Sequence, residues 1–249
     1  MVLRMLLLLL VLLYFNSGTS LPEKNLPPNI IIFLVDDMGL MDTSVPFLTN
    51  ADGSPVKYAL NDYYNTPNMK KLAEQGIRFT KFYAPSFFSP SRKSILSGKT
   101  SARHRVTNWI NSEDNNRTEY GPEDWNWKGL TRKSVTLPRM LQQAGYKTIH
   151  VGKAHFGSQN SEGEDPLNLG FDVNIGGSSI GQPGSYLGTE AFGHTGGNAK
   201  RAVPGLEKYH GKEIFLTEAL TLEANLAISK AREEGKPFFL NMAHYAVHA

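Results

Sequence analysis

The stretch that most constrains this chain is Asn29-Ile30-Ile31-Ile32-Phe33-Leu34-Val35, an unbroken apolar run rich in β-branched residues that gives way at once to Asp36-Asp37. An alternating pattern belongs to a strand with one wet face, whereas a continuous run belongs to a strand covered on both, as in parallel sheets flanked by helices. The expectation is an α/β fold with a mostly parallel central sheet, and this run as a central strand buried on both faces. Sheets of that kind place their ligand crevices beyond the carboxyl ends of the strands, where Asp36 and Asp37 fall. Adjacent carboxylates there are costly unless they are solvated or share a cation. A capping pair on an exposed loop is the plain alternative. The preferred reading is a hard divalent cation, calcium with magnesium as the variant, of whose roughly 6 to 8 oxygen ligands two aspartates supply only part.

Two more runs read as buried strands, Tyr146 to Val151 and Pro237 to Ala243. The first ends in Gly152-Lys153-Ala154-His155, and the second leads to His244 and His248. Lys153 and His155 flank Ala154, so an extended strand end turns both side chains the same way. A lysine there neutralises an anion, and a histidine donates a hydrogen bond or a proton. Ile77 to Tyr83 alternates apolar and polar residues and is expected to be a strand. Helices are expected over Thr66 to Gly76, with Met69, Leu72 and Ala73 inward; over Thr136 to Gly145, with Leu137, Met140, Leu141 and Ala144 inward; and over Glu213 to Glu234. Gly163 to Gly205 is dense in glycine and reads as loop, without a phosphate-cradling GxxxxGK[ST] pattern. Ser101 to Lys133 is a polar insertion carrying Trp109, Trp125 and Trp127, which either packs on the body or meets a sugar ring. His244 and His248 lack the helix and the intervening Glu that would make them a zinc pair.

Ala84 to Thr100 reads as a loop feeding a helix, with Ser89 as cap, Pro90 in the first turn, Ile95 and Leu96 on the apolar face and Gly98 as stop. A helix start offers unpaired N–H groups to anions, and Arg92 adds a planar fork of donors. The plain alternative is an ordinary capped helix with a surface arginine; the ligand such a corner suits is a sulfate or a phosphate.

In this company the chain resembles the N-terminal half of the sulfatase catalytic domain, the arylsulfatase-like branch of the alkaline phosphatase superfamily. The family signature runs Cys or Ser, any residue, Pro, Ser, Arg, three residues, Leu, Thr or Ser, Gly. Here Pro90, Ser91, Arg92, Leu96, Ser97 and Gly98 stand in register with it. Asp36-Asp37-Met38-Gly39, Thr66-Pro67-Asn68, Gly152-Lys153-Ala154-His155-Phe156-Gly157, Gly170-Phe171-Asp172 and Lys236-Pro237-Phe238-Phe239-Leu240 with His248 match its flanks in order. The resemblance implies a sulfuric-ester hydrolase acting on a small sulfate ester or a sulfated polysaccharide. It assigns Asp36 and Asp37 to the metal, Arg92 and His248 to the sulfate group, and Lys153 and His155 to charge balance.

One position departs. The family's nucleophile, a Cys or Ser converted to formylglycine, stands two residues before the signature proline, and here that residue is Phe88. A phenyl ring has no oxygen with which to attack sulfur. The chain has no cysteine, so no shift of register supplies one. Ser86 and Ser89 flank the position, but each residue step on a helix turns the side chain by about 100°. Turnover is therefore expected to be impaired. Two other readings stay open: a non-catalytic protein that holds sulfated sugar, and a chain truncated at its C-terminus that cannot finish its fold.

Met1 to Ser20 reads as a signal peptide, with Arg4, an apolar run from Met5 to Phe15 and small residues Gly18 and Ser20, too short for a span of ~20 residues. An uncleaved anchor is the alternative. Export to a periplasm or the outside follows, leaving one domain over residues 21–249 with neither disulfide nor lipid-bearing cysteine. A net charge of +3, with no basic run interleaved with aromatics, argues against a nucleic-acid partner. Asn116-Arg117-Thr118 is a formal glycosylation acceptor.

Overall fold

The computed structural model describes residues 27–112, 119 and 121–248. The expected leader and Asn116-Arg117-Thr118 lie outside the described residues. Four strands form one sheet, β1 (Ile30–Leu34), β2 (Lys147–Gly152), β3 (Val173–Ile175) and β4 (Phe238–Ala243), in the order β1-β4-β2-β3. Every pairing is parallel. The helices are α1 (Ala59–Tyr63), α2 (Pro67–Gln75), α3 (Phe88–Ser97), α4 (Ser101–His104), α5 (Leu137–Gln143) and α6 (Leu216–Glu233).

Strand alternation divides the core in two. Phe238, Leu240 and Met242 of β4 face α6 with Ile149 and Val151 of β2 and the helix residues Leu216, Leu220 and Ala224. Phe239 faces the other way, with Leu96 of α3, Phe156, Phe171 and, at its margin, Leu137 and Leu141 of α5. All six residues of β4 are buried, so the doubly covered central strand is β4.

β1 is an edge strand of this sheet, contrary to the sequence expectation. Ile30 and Ile32 pack toward the α3 and α5 layer, while Ile31 and Phe33 are 53% and 57% exposed. The cause is coverage, since α6 lies over β2, β3 and β4. Ile77 to Tyr83 is not a strand either. No partner strand reaches it, and Ile77, Phe79, Phe82 and Tyr83 stand exposed. For the same reason Leu72 of α2 faces out, and α2 buries no residue. Thr66 precedes that helix without capping it, because its hydroxyl accepts the Ser44 N–H at 2.9 Å.

In α5 the expected cap holds, as Thr136 accepts the Arg139 N–H and donates to the Leu169 carbonyl at 2.5 Å. Leu137 and Leu141 pack inward, but Met140 and Ala144 are exposed because only one narrow side of this short helix meets the core. The glycine-dense stretch is not plain loop. It holds β3 and several 3-10 turns, and it sends Ile180, Phe192 and Val203 into the core. No helix among the described residues is long and apolar enough to cross a membrane.

Candidate active site

Strand register builds the site. Leu34 and Gly152 both pair with Ala243, so the residues that follow β1, β2 and β4 leave the sheet side by side at its carboxyl edge. The His244 N–H bonds the Leu34 carbonyl at 3.1 Å, and the Lys153 N–H bonds the Ala243 carbonyl at 2.7 Å. Asp36 is tied to the last turn through its N–H to the Ala246 carbonyl and its carbonyl to the Val247 N–H. Gly152 allows this convergence. Its φ of 97° is left-handed, and a Cβ there would lie 2.0 Å from the Ala243 carbonyl oxygen.

Helix α3 enters the same edge from above. It starts at Phe88, two residues earlier than the Pro90 start expected, with extended Phe87 as its cap. Ser89 cannot cap it because its hydroxyl accepts the Ile110 N–H at 2.9 Å. Gly98 ends the helix at φ 63° as expected. Ser86 is exposed and Ser89 is committed to Ile110, so neither hydroxyl stands where the phenyl ring does.

The side chains converge on Asp36, which is 6% exposed. Lys153 Nζ donates to Asp36 Oδ2, while the Arg92 guanidinium lies 3.3 Å from Oδ1 and donates from its other nitrogen to the Lys153 carbonyl at 2.6 Å. Arg92 Nε is buried with no hydrogen-bond acceptor, and Nη2 has only the 3.3 Å ion pair with Asp36 Oδ1. Lys93, next on the helix, is wholly buried and donates to the His155 carbonyl at 3.1 Å. Two buried cationic side chains, Arg92 and Lys153, thus face one buried carboxylate, with Lys93 buried beside them. Burial pushes Lys153 down to about 8, Arg92 adding to the push and Asp36 opposing it. Burial, then the Arg92 charge, pushes Lys93 down to about 7.

Phe88 lies over this group. Lys153 Nζ sits 3.8 Å from the centre of the ring, within cation–π reach, and the His155 and His248 rings meet its edges at 4.9 and 5.9 Å. Lys153 and His155 do face one place, but not as parts of an extended strand, since β2 stops at Gly152 and His155 adopts φ 52°. His155 is pinned by its Nε2–H to the Ile110 carbonyl at 2.8 Å and its N–H to the Ser178 carbonyl at 2.9 Å. Its Nδ1 is then the buried acceptor, unpaired. Burial, followed by the charges of Lys93 and Lys153, holds this imidazole well below its ordinary pKa, so it is neutral. His248 lies 3.7 Å from Asp37, and His244 packs its ring on Phe33, so the two histidines serve different neighbours.

The carboxylates alone do not fit a calcium ion. Both oxygens of Asp36 already face fixed cations, and the Asp37 side chain is 60% exposed. Among the described residues no group of three or more His, Cys, Asp or Glu stands ready for a metal. Two residues that sequence reading passed over also matter. Lys93 is one; its signal was Leu96 three residues on, which places it on the inward face. His150 is the other, a buried structural ring held between Asn241 and the Gly152 carbonyl, pushed down to about 3 by burial.

The family model described as Sulfatase matches residues 28–249. The chain is similar to the N-acetylgalactosamine-6-sulfatase of Mus musculus, at 30% identity over 90% of this chain and 40% of that protein. It is similar to the Sus scrofa counterpart at 31% identity, over 96% of this chain and 43% of that protein, and to arylsulfatase G of Rattus norvegicus at 36% over 60% and 23%. Among solved structures, Ps i-CgsB in complex with k-i-k-neocarrahexaose superposes with a TM-score of 0.60 at 23% identity, covering 89% of this chain and 46% of that one. BT4656 in complex with D-glucosamine-2-N,6-O-disulfate superposes at 0.53 with 26% identity, over 89% and 35%. The chain thus spans about two fifths of the length of the first curated relatives it matches.

Proposed function

Because the chain belongs to the sulfatase family, we propose that its site is that of a sulfuric-ester hydrolase for sulfated glycans, silenced at the nucleophile by Phe88. One observation carries the reading. The phenyl ring lies on Lys153 Nζ between His155 and His248, at the position the signature reserves for the attacking oxygen. Beneath it the chain keeps what grips an oxyanion: an unpaired Arg92 Nε, an ammonium on Lys153, and an excess of buried positive charge over Asp36 alone.

In this reading Arg92 and Lys153 orient the sulfate oxygens and His248, at the mouth, meets the leaving side of the ester. His155 holds the wall as a neutral ring and does not carry charge. Among the described residues none stands where it could complete the attack on sulfur. Losing a covalent nucleophile generally costs several orders of magnitude in rate. Calcium, in the reading the resemblance implies, would neutralise sulfate charge from the Asp36 and Asp37 side; those two residues do not complete its shell, and no step is assigned to it. The glycan class is supported by relatives that are named for sulfated sugars. Export, read from Met1 to Ser20, suits such substrates. A non-catalytic protein that holds sulfated sugar through Arg92 and Lys153 is less favoured, because those side chains are 2% and 0% exposed beneath the ring.

The test is hydrolysis of an aryl sulfate by the purified chain beside Arg92→Ala. The expected rates are equal and at background. A wild-type rate that Arg92→Ala abolishes would overturn the reading.

A further inference from the structure

Beyond the Phe88 site, a cavity of about 480 Å³ opens where Trp127 and Lys128 meet the turn Ser158–Glu162. We infer that this cleft is a carbohydrate subsite, taking one hexose ring of a glycan chain; the choice of glycan rests on the function proposed above. Its size suits a small ligand. Its lining matches a sugar: the apolar face of Trp127 for a ring's C–H groups, and hydroxyl, amide and carboxylate groups of Thr131, Gln159, Asn160 and Glu162 for its hydroxyls.

The cleft is built, not a gap between loose loops. Gly129 and Gly157 pair across it as an isolated bridge, and the Leu130 N–H bonds the Phe156 carbonyl at 2.9 Å. A Cβ on Gly157 would lie 2.7 Å from the Lys128 carbonyl oxygen, so glycine is what lets the walls approach. Asn126 clamps Gly129 from both sides, its Oδ1 accepting from the Gly129 N–H at 3.1 Å and its Nδ2 donating to the carbonyl at 3.0 Å. Glu162 accepts the Arg132 N–H at 3.0 Å. Lys128 Nζ stands 5.5 Å over the Trp127 ring, placing one cation beside the sugar face for an anionic substituent.

A second cavity, of about 220 Å³, adjoins the cleft on the side of Gln159 and is lined also by Ser178, Ser179 and Ile180. Gly181 follows, where a Cβ would lie 3.0 Å from His155 and 3.4 Å from Phe88. The residue after Ile180 thus packs against the Phe88 site.

The experiment is calorimetric titration of the full chain with a hexasaccharide bearing 6-sulfated N-acetylgalactosamine and with its desulfated form. Both are expected to bind, Trp127→Ala weakening each at least tenfold and Trp127→Phe staying within threefold. Should Trp127→Ala fail to fold, Asn160→Gly decides; it keeps the left-handed backbone at φ 60° and deletes the amide, with an expected loss of at least threefold. No binding by the wild-type chain, or unchanged affinity in the deciding variant, would overturn the inference. The desulfated sugar reports the cleft alone and aryl sulfate turnover the sulfate pocket alone, so the two readings fail separately.

Discussion

At Phe88 a single side chain carries the proposal of a silent site. Its absence of oxygen was legible in the sequence; its contact with Lys153 was not, because that depends on a helix starting two residues earlier than its serine and proline signals indicate. Lys93 was passed over for a related reason, since a lysine beside an arginine reads as solvated, although Leu96 three residues on marks its face as inward. Its folded pKa of about 7 lies below the ordinary 10.5. Between those values the unfolded chain holds a proton that the folded one lacks, so stability rises with pH there, by up to about 1.4 kcal/mol per unit, and the cost is present in full below about pH 7. Lys93→Met, which fills similar space, is expected to raise the melting temperature at pH 6 by several degrees and to flatten the rise between pH 7 and 9. Calorimetry at those pH values checks both. A rise of the same slope in the variant would assign it to other groups.

The strands show what periodicity can and cannot say. Apolar runs identified β1, β2 and β4 and placed Asp36, Lys153 and His248 after strand ends, and the parallel register then brought them together. Order within the sheet was beyond the sequence: β1 has the most continuous run yet lies at the edge, while β4 takes the centre. Ile77 to Tyr83 has the alternation of a strand but no neighbour to bond, and hydrogen bonding to a partner is what makes a strand. The tightest joint is Gly152 against Ala243. Gly152→Ala is expected to destabilise the fold by about 3 kcal/mol or more, through a left-handed φ and a clash with backbone that cannot yield. Denaturant unfolding checks this, and a loss below about 1 kcal/mol would show that the strand ends are not so tightly joined.

Over the whole molecule, two layers cover β2 and β4, while Ile31 and Phe33 of β1, Leu72 of α2 and the segment through Phe79 and Phe82 present apolar groups to solvent. An open parallel edge with such side chains invites self-association. The Ile31→Lys, Phe79→Lys double variant is expected to bind less of a hydrophobic-surface dye and to stay monomeric at higher concentration, with a melting temperature within about 2 °C of wild type. A large fall in melting temperature would mean that these side chains are packed. The proposed silent site is a buried oxyanion corner stoppered by an aromatic ring, and titration of inorganic sulfate into Phe88→Ala and into the wild-type chain tests it most directly. At least tenfold tighter sulfate binding by Phe88→Ala, lost again when Arg92→Ala is added, is predicted; equal affinity in wild type and Phe88→Ala would contradict it.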